Sequence, residues 1–365
     1  MERVKTIITD ALSNTFVEAL KAKRIDIYIV GGAIRDAFYG KNLKDFDFIV
    51  RENDFEKVLD FFEKSNLKYF FLNAKNFLLL RTIQSNYTFD FMKITNSVDN
   101  NLMLRDYTIN AVCYSLSEKK FFYRTISLKD LENRVLRAVS PNSISQDPVR
   151  VLRGIRLAAA FDLSIDEDTK EQIKSAFFFL KSTKRERRRE ELKKILDLDV
   201  QSVLKVLEIF FPGKDFLFIL KRTDLSGQFN KLDKEINMDF TYRDAFIVAL
   251  FSHVLLDYPV LDILGLNRKE VEIANKIAGE KVEDNFDSLF SLFIRYRNIC
   301  VPLAAALFSL EEKEAIKASK FFAECSKVKI DGSKLREKFN VEGKELGALK
   351  RQILEKECKK LYEKF

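Results

Sequence analysis

Hydrophobic and polar positions follow two different periods along this chain, and the change of period divides it. Apolar residues recur every three to four positions between residues 4 and 23, which predicts helix. Short apolar runs follow. "IDIYIV" (25–30) predicts a strand closed by Gly31 and Gly32, and "AIRDAFYG" (33–40) a short helix ended by Gly40. "DFDFIV" (45–50) predicts a second strand and "NDFEKVLDFFEKS" (53–65) a helix. "YFFLNA" (69–74), "FLLLRTI" (77–83) and "YTFDFMKI" (87–94) predict further strands. From about residue 141 the strand signals fade. Long charged segments with helical periodicity run to residue 365, with few Gly or Pro. The pattern predicts a small mixed sheet flanked by helices, an α/β head, followed by an all-helical remainder.

Composition narrows the picture slightly. The 365 residues are enough for two or three domains, and the net charge of +8 suits a polyanionic partner. No apolar run approaches a membrane span, and "MERVKTIITDALSN" has no apolar signal core, so the expectation is a cytoplasmic protein without a membrane role. Cys113, Cys300, Cys325 and Cys358 are too scattered for a zinc site or a disulfide framework, and are expected as reduced thiols. The single histidine, His253, lies in "AFIVALFSHVLLDYP" and is expected as a packed helix residue, so the chemistry does not rest on histidine.

That chemistry is sought in residues 29–50. Residues i and i+2 of a strand point the same way, so Asp45 and Asp47 share one face while Phe46 and Phe48 take the other. Two adjacent carboxylates repel unless a cation lies between them, and Mg²⁺ prefers carboxylate and phosphate oxygens. Glycines let backbone N–H groups approach a phosphate where a helix begins, and Arg35, beside Asp36, has the fork to clamp a triphosphate. A tight turn with surface charges is the plain alternative for Gly31, Gly32 and Arg35. Together with the aspartates they point to a two-metal nucleotidyl transfer site. Asp90, in a neighbouring strand, is a candidate third carboxylate; an ordinary outward-facing acid is its alternative.

Five segments in order resemble the motifs of the class II tRNA nucleotidyltransferase and bacterial poly(A) polymerase family. They are "GGAIRDAFYGKNLKDFDF", "LRDYTINAV" (104–112), "DLENRVLRAV" (130–139), "QDPVRVLRGIRLAAAF" (146–161) and "ERRREELKKIL" (186–196). "IDGSKLREKFNVEGKELGAL" is similar to the family's tail. The resemblance implies a polymerase-beta-like nucleotidyltransferase head at 1–140, a helical neck with the nucleotide-selecting helix at 141–200, a helical body at 201–300 and a tRNA-binding tail at 301–365. It implies Mg²⁺ as cofactor, CTP or ATP as substrate and tRNA as partner. Arg105, Asp106 and Asn110 would meet ribose and phosphate. Asn110 sits in an apolar context, so it needs a hydrogen-bond partner if buried.

Within the fourth of these segments, Asp147 before Pro148 suits a helix N-cap, and Arg150, Arg153 and Arg156 follow as a spiral ridge. Cytosine and adenine each offer an amino donor beside an acceptor nitrogen; guanine and uracil offer a carbonyl beside an N–H. A carboxylate that accepts and a guanidinium that donates therefore choose C and A without a template. The family gives this role to the positions of Asp147 and Arg150; an ordinary i, i+3 pair is the alternative. "KSTKRERRREELKK" carries eight Lys or Arg against three Glu. Glu186, Arg187, Glu191 and Leu192 match the fifth motif, and the other cations, Arg188 among them, are candidates for phosphate contact or for a solvated helix face.

Departures refine the expectation. Gln146 stands where the family has glutamate and Leu104 where it has arginine. Only "TNSVDNNLML" (95–104) separates the last head strand from the second motif, where members that add A carry a longer loop. The reading is a CC-adding enzyme extending tRNA from CTP. Its alternatives are full CCA addition, a poly(A) polymerase or A-adding enzyme, and an inactive RNA-binding relative.

Overall fold

The computed structural model describes residues 1–23, 25–74, 77–210, 242–254, 264–296 and 300–365, which form two compact units, Met1–Thr183 and Lys184–Phe365. In the first unit the N-terminal helical pattern breaks into α1 (Glu2–Leu12) and α2 (Phe16–Lys21). The break falls where the Thr15 side chain accepts from the Val17 N–H and caps the second helix. Then come β1 (Ile27–Val30), α3 (Gly32–Phe38), β2 (Asp45–Arg51), α4 (Glu52–Lys64), β3 (Tyr69–Ala74), β4 (Phe77–Gln84), β5 (Tyr87–Ile94) and α5 (Val98–Met103). Two further strands, β6 (Val112–Ser115) and β7 (Phe121–Tyr123), escape the period argument because one has four residues, all buried, and the other only three. The unit ends with α6 (Thr125–Glu132), β8 (Val135–Leu136), α7 (Ser143–Gln146), α8 (Val149–Phe161), β9 (Ser164–Ile165) and α9 (Glu167–Phe177).

Seven strands form one sheet in the order β3-β4-β5-β2-β1-β6-β7; β8 and β9 pair separately. All neighbours in the large sheet are antiparallel except β2 and β5. The register of that parallel pair explains the site. Phe46 lies opposite Phe89 and Phe48 opposite Phe91, and both pairs stack, the second at 4.6 Å between centroids. Phe16 and Phe62 close on them edge-on. Each buried phenyl contributes on the order of 2 kcal/mol, so this face is committed to the core. Alternation then forces Asp45, Asp47 and Asp90 onto the opposite face, with Asp47 directly across from Asp90. Further along that face Ile49, Val30, Val98 and Leu102 form a second apolar cluster under α5.

Residues 141–183 pack with the head. The Tyr107 hydroxyl donates to the Arg150 carbonyl at 2.6 Å, and the Ala138 N–H to Thr169 Oγ1 at 2.8 Å. A Cβ on Gly154 would stand 2.9 Å from Tyr107 Cζ, so α8 can lie this close only with glycine there.

The second unit opens with α10 (Arg185–Leu196) and α11 (Val200–Phe210). Among the described residues seven more helices follow: Tyr242–Val254, Arg268–Gly279, Phe286–Arg295, Cys300–Ser309, Glu312–Cys325, Gly332–Phe339 and Gly343–Tyr362. Among its described residues there is no strand. The side chains of His253 and Cys300 lie outside the described residues. Arg189 forks onto the Glu270 carboxylate, which also accepts from the Asn267 N–H, tying α10 to the helix Arg268–Gly279. Arg188, a candidate for phosphate contact, faces inward with Glu191 and Leu192 and is buried. The basic run is therefore not one solvated face. Cys325 and Cys358, 33 positions apart, are both free, buried thiols, near enough that each shifts the other's titration. Among the described residues no helix is long and apolar enough to cross a membrane.

Candidate active site

The face of the sheet opposite the phenylalanine core carries Asp45 and Asp47 side by side. Asp45 is exposed and Asp47 half-buried. Neither side chain accepts a hydrogen bond or joins an ion pair among the described residues. Burial raises the Asp47 carboxyl above its ordinary range; Arg105 opposes this, while Asp90 and Asp45 add to it. Two unpaired carboxylates on one strand face are a donor set for a hard divalent ion completed by water and phosphate oxygens. No cluster of three His, Cys, Asp or Glu side chains able to hold a metal occurs among the described residues.

Asp90 lies across from Asp47 but is engaged elsewhere. Arg81 Nε donates to one of its oxygens and Nη2 to the other, each at 2.6 Å. Sequence reasoning passed over Arg81. The signal was present: strands 77–84 and 87–94 leave a two-residue turn, Ser85–Asn86, which pairs Gln84 with Tyr87 and hence Arg81 with Asp90.

Gly31 has φ +71°, a conformation that disfavours side chains, and Arg105 Nη1 would lie 3.3 Å from a Cβ there. The Gly31 N–H already donates to the Val112 carbonyl. The first helical bond of α3 runs from the Arg35 N–H to the Gly31 carbonyl, so the N–H groups of Gly32, Ala33 and Ile34 have no acceptor within the helix. The Arg105 Nη2 donates to Asn101 Oδ1 at 3.0 Å.

Arg35 is not an open clamp. Its Nε and Nη2 donate to Asp36 Oδ1, its Nη1 donates to Asn110 Oδ1 at 2.6 Å, and the guanidinium lies 4.9 Å over the Phe161 ring. Asp106 and Asn110, expected to meet ribose and phosphate, are buried and satisfy each other. Asn110 Nδ2 donates to Asp106 Oδ1 at 2.9 Å, the Tyr107 N–H donates to the same oxygen, and Arg153 Nη1 donates to Oδ2 at 2.9 Å. These donors outweigh burial and hold the Asp106 carboxyl down to about 2. Buried polar groups must find partners, and here they find one another. The chain Arg35–Asn110–Asp106–Arg153 braces α3, the 104–112 segment and α8 together.

On α8 the cap is Pro148, one residue later than expected, and the Asp147 carbonyl accepts from the Arg150 N–H. Arg150 Nη1 donates to the Arg105 carbonyl, the Ser143 carbonyl and Ser143 Oγ, and Nη2 to the Leu104 carbonyl at 2.8 Å. Asp147 approaches Arg150 Nε at 4.0 Å, so the two stand as neighbours, both half-buried. Arg156 is half-buried one turn beyond Arg153. Behind this segment Thr108 donates to Asp130, which Arg137 also contacts.

Residues 27–137 match the poly A polymerase head domain family. A CC-adding tRNA nucleotidyltransferase of Synechocystis sp. is 28% identical over 46% of this chain and 41% of its own length. An A-adding tRNA nucleotidyltransferase of Aquifex aeolicus is 26% identical over 90% of this chain and 45% of its own. The chain thus spans less than half the length of these curated relatives. The solved structure of a Thermotoga maritima CCA-adding enzyme complexed with tRNA superposes with a TM-score of 0.68 at 22% identity, covering 93% of this chain and 88% of that one. The chain thus carries a head that matches the poly A polymerase head domain family, followed by a helical remainder, and as a whole it shares the fold of the solved CCA-adding enzyme.

Proposed function

We propose that the chain adds CMP residues to the 3′ end of tRNA from CTP, releasing pyrophosphate, with Mg²⁺ held by Asp45 and Asp47. The observation that carries the reading is that pair of unpaired carboxylates beside Arg105, when every other acid of the site has a cation. Mg²⁺ bound there supplies charge neutralisation at the α-phosphate and lowers the pKa of an attacking hydroxyl. The residues do the rest. The Gly32 N–H and Arg105 receive the triphosphate. Arg35, Asp106, Asn110 and Arg153 keep the 104–112 segment and α8 in register. Arg150, fixed by three backbone carbonyls and Ser143, turns its remaining edge with Asp147 toward the base. Catalysis by positioning and fixed charge suits phosphoryl transfer.

CC addition, rather than full CCA addition, is supported by residues 95–104. Within them Val98–Met103 form α5, capped by Ser97 and anchored by buried Val98 and Leu102, where an extended loop would otherwise run. Full CCA addition is the second reading, favoured by the similarity to CCA-adding enzymes. The test is incubation of the protein with Mg²⁺ and a tRNA transcript lacking its 3′ end, with CTP, ATP or both, reading product length to one nucleotide. Two residues from CTP and no third with ATP support CC addition. A third residue with ATP means CCA addition. Long A tails point to a poly(A) polymerase. No product, or full activity in Asp45→Asn and Asp47→Asn, refutes the reading.

A further inference from the structure

We propose that Arg81 is a positioning residue that withholds Asp90 from the cation site, so that a divalent ion is bound by Asp45 and Asp47 alone. The inference rests on the reading of those two aspartates as the ion's ligands.

Asp47, Asp90 and Arg81 stand directly opposite one another on three adjacent strands, β2, β5 and β4. Strands lie about 4.8 Å apart, so Arg81 starts roughly two spacings from Asp47 and reaches back over Asp90. Both Asp90 oxygens accept from the guanidinium, each at 2.6 Å, in a two-point fork. An ion recruiting Asp90 would have to displace that fork and approach a positive charge. The pair is neutral as a unit, whereas Asp45 and Asp47 join no ion pair, Arg105 acting on Asp47 only through its nearby charge. The plain alternative is a cross-strand ion pair that only supports the sheet. Its setting argues otherwise. The Asp90 side chain is 12% exposed, the pair adjoins two acids with no partner of their own, and the guanidinium feels all three carboxylates.

Removing Arg81 should therefore create a three-carboxylate site. Mn²⁺ alone is the probe, followed by electron paramagnetic resonance of the free ion with the full chain and no nucleotide. Arg81→Gln should bind Mn²⁺ about tenfold tighter, the scale for removing a unit charge roughly 10 Å from a divalent ion at an effective dielectric of about 40. Arg81→Lys, which keeps the charge, should stay near wild type. Arg81→Gln combined with Asp90→Asn removes both charges and should return to near-wild-type affinity. Thermal melts check that each variant folds. Unchanged or weaker binding in Arg81→Gln overturns the proposal. So does a severalfold loss in the double variant, which would make Asp90 a ligand already. If Asp45→Asn with Asp47→Asn leaves Mn²⁺ binding intact, the failure is instead that of the underlying site.

Discussion

Replacing Asp106 with asparagine removes one charge from the centre of the brace and keeps its shape. The carboxyl is held from an ordinary 3.8 down to about 2 by Arg153, Asn110 and the Tyr107 N–H, against the cost of burial. The native state therefore binds this proton less readily than the unfolded chain does. The stabilisation is complete above the ordinary value and disappears as pH falls through about 2. Its full size is about 2.5 kcal/mol; linkage leaves about 1.3 kcal/mol at pH 3 and about 0.4 at pH 2. Asn cannot accept two charge-assisted donors, and it deprives Arg153 of its carboxylate. The Arg153 side chain is 34% exposed and can turn partly to water. The loss at neutral pH should thus be about 2.5 kcal/mol, below the 3–5 typical of fully buried pairs. Urea unfolding of the full chain by circular dichroism, wild type against Asp106→Asn, at pH 7, 5 and 3, measures it. The gap should shrink by about half between pH 5 and pH 3. Equal midpoints at pH 7, or a gap that does not change with pH, would refute the reasoning.

Gly154→Ala drives a methyl into the Tyr107 ring and hydroxyl, so it should destabilise the chain by about 2 kcal/mol in the same urea assay, with overpacking as the cause; a loss under about 0.5 kcal/mol would mean α8 can shift away. Burial pushes the Cys113 thiol up to about 12, so it stays protonated and inert through the neutral range, and Cys325 and Cys358 are equally enclosed. Ellman's reagent at pH 8 should therefore modify none of these three until urea unfolds the protein; labelling of Cys113 in the native state, read by peptide mass, would contradict the packing.

The Asp45 and Asp47 pair was legible because strand period is local: two residues in one strand share a face whatever lies around them. Gly31 was legible because a left-handed turn before a helix leaves a glycine in the sequence. The partners of Asp90 and Asp106 were not read. Arg81 looked like one polar residue in "FLLLRTI", and its meaning depends on which strand lies beside it. Asp106 and Asn110 carry groups that suit a sugar equally well, and only burial beside Arg35 and Arg153 decides that they serve each other. Arg188 failed for a related reason, since a run of eight cations hides which of them turns inward.

One consequence of the Arg150 contacts concerns mechanical freedom. Arg150 is fastened to the carbonyls of residues 104, 105 and 143, Arg153 to Asp106, and the Arg150 carbonyl to the Tyr107 hydroxyl. These attachments do not lie on one line. A rod held at three such points can neither slide nor pivot on its own, so α8 and residues 104–107 travel as a single piece. The Asp147 carboxylate then moves against β2, which bears Asp45 and Asp47, in only two ways, by torsion of its own side chain or by displacement of the whole piece.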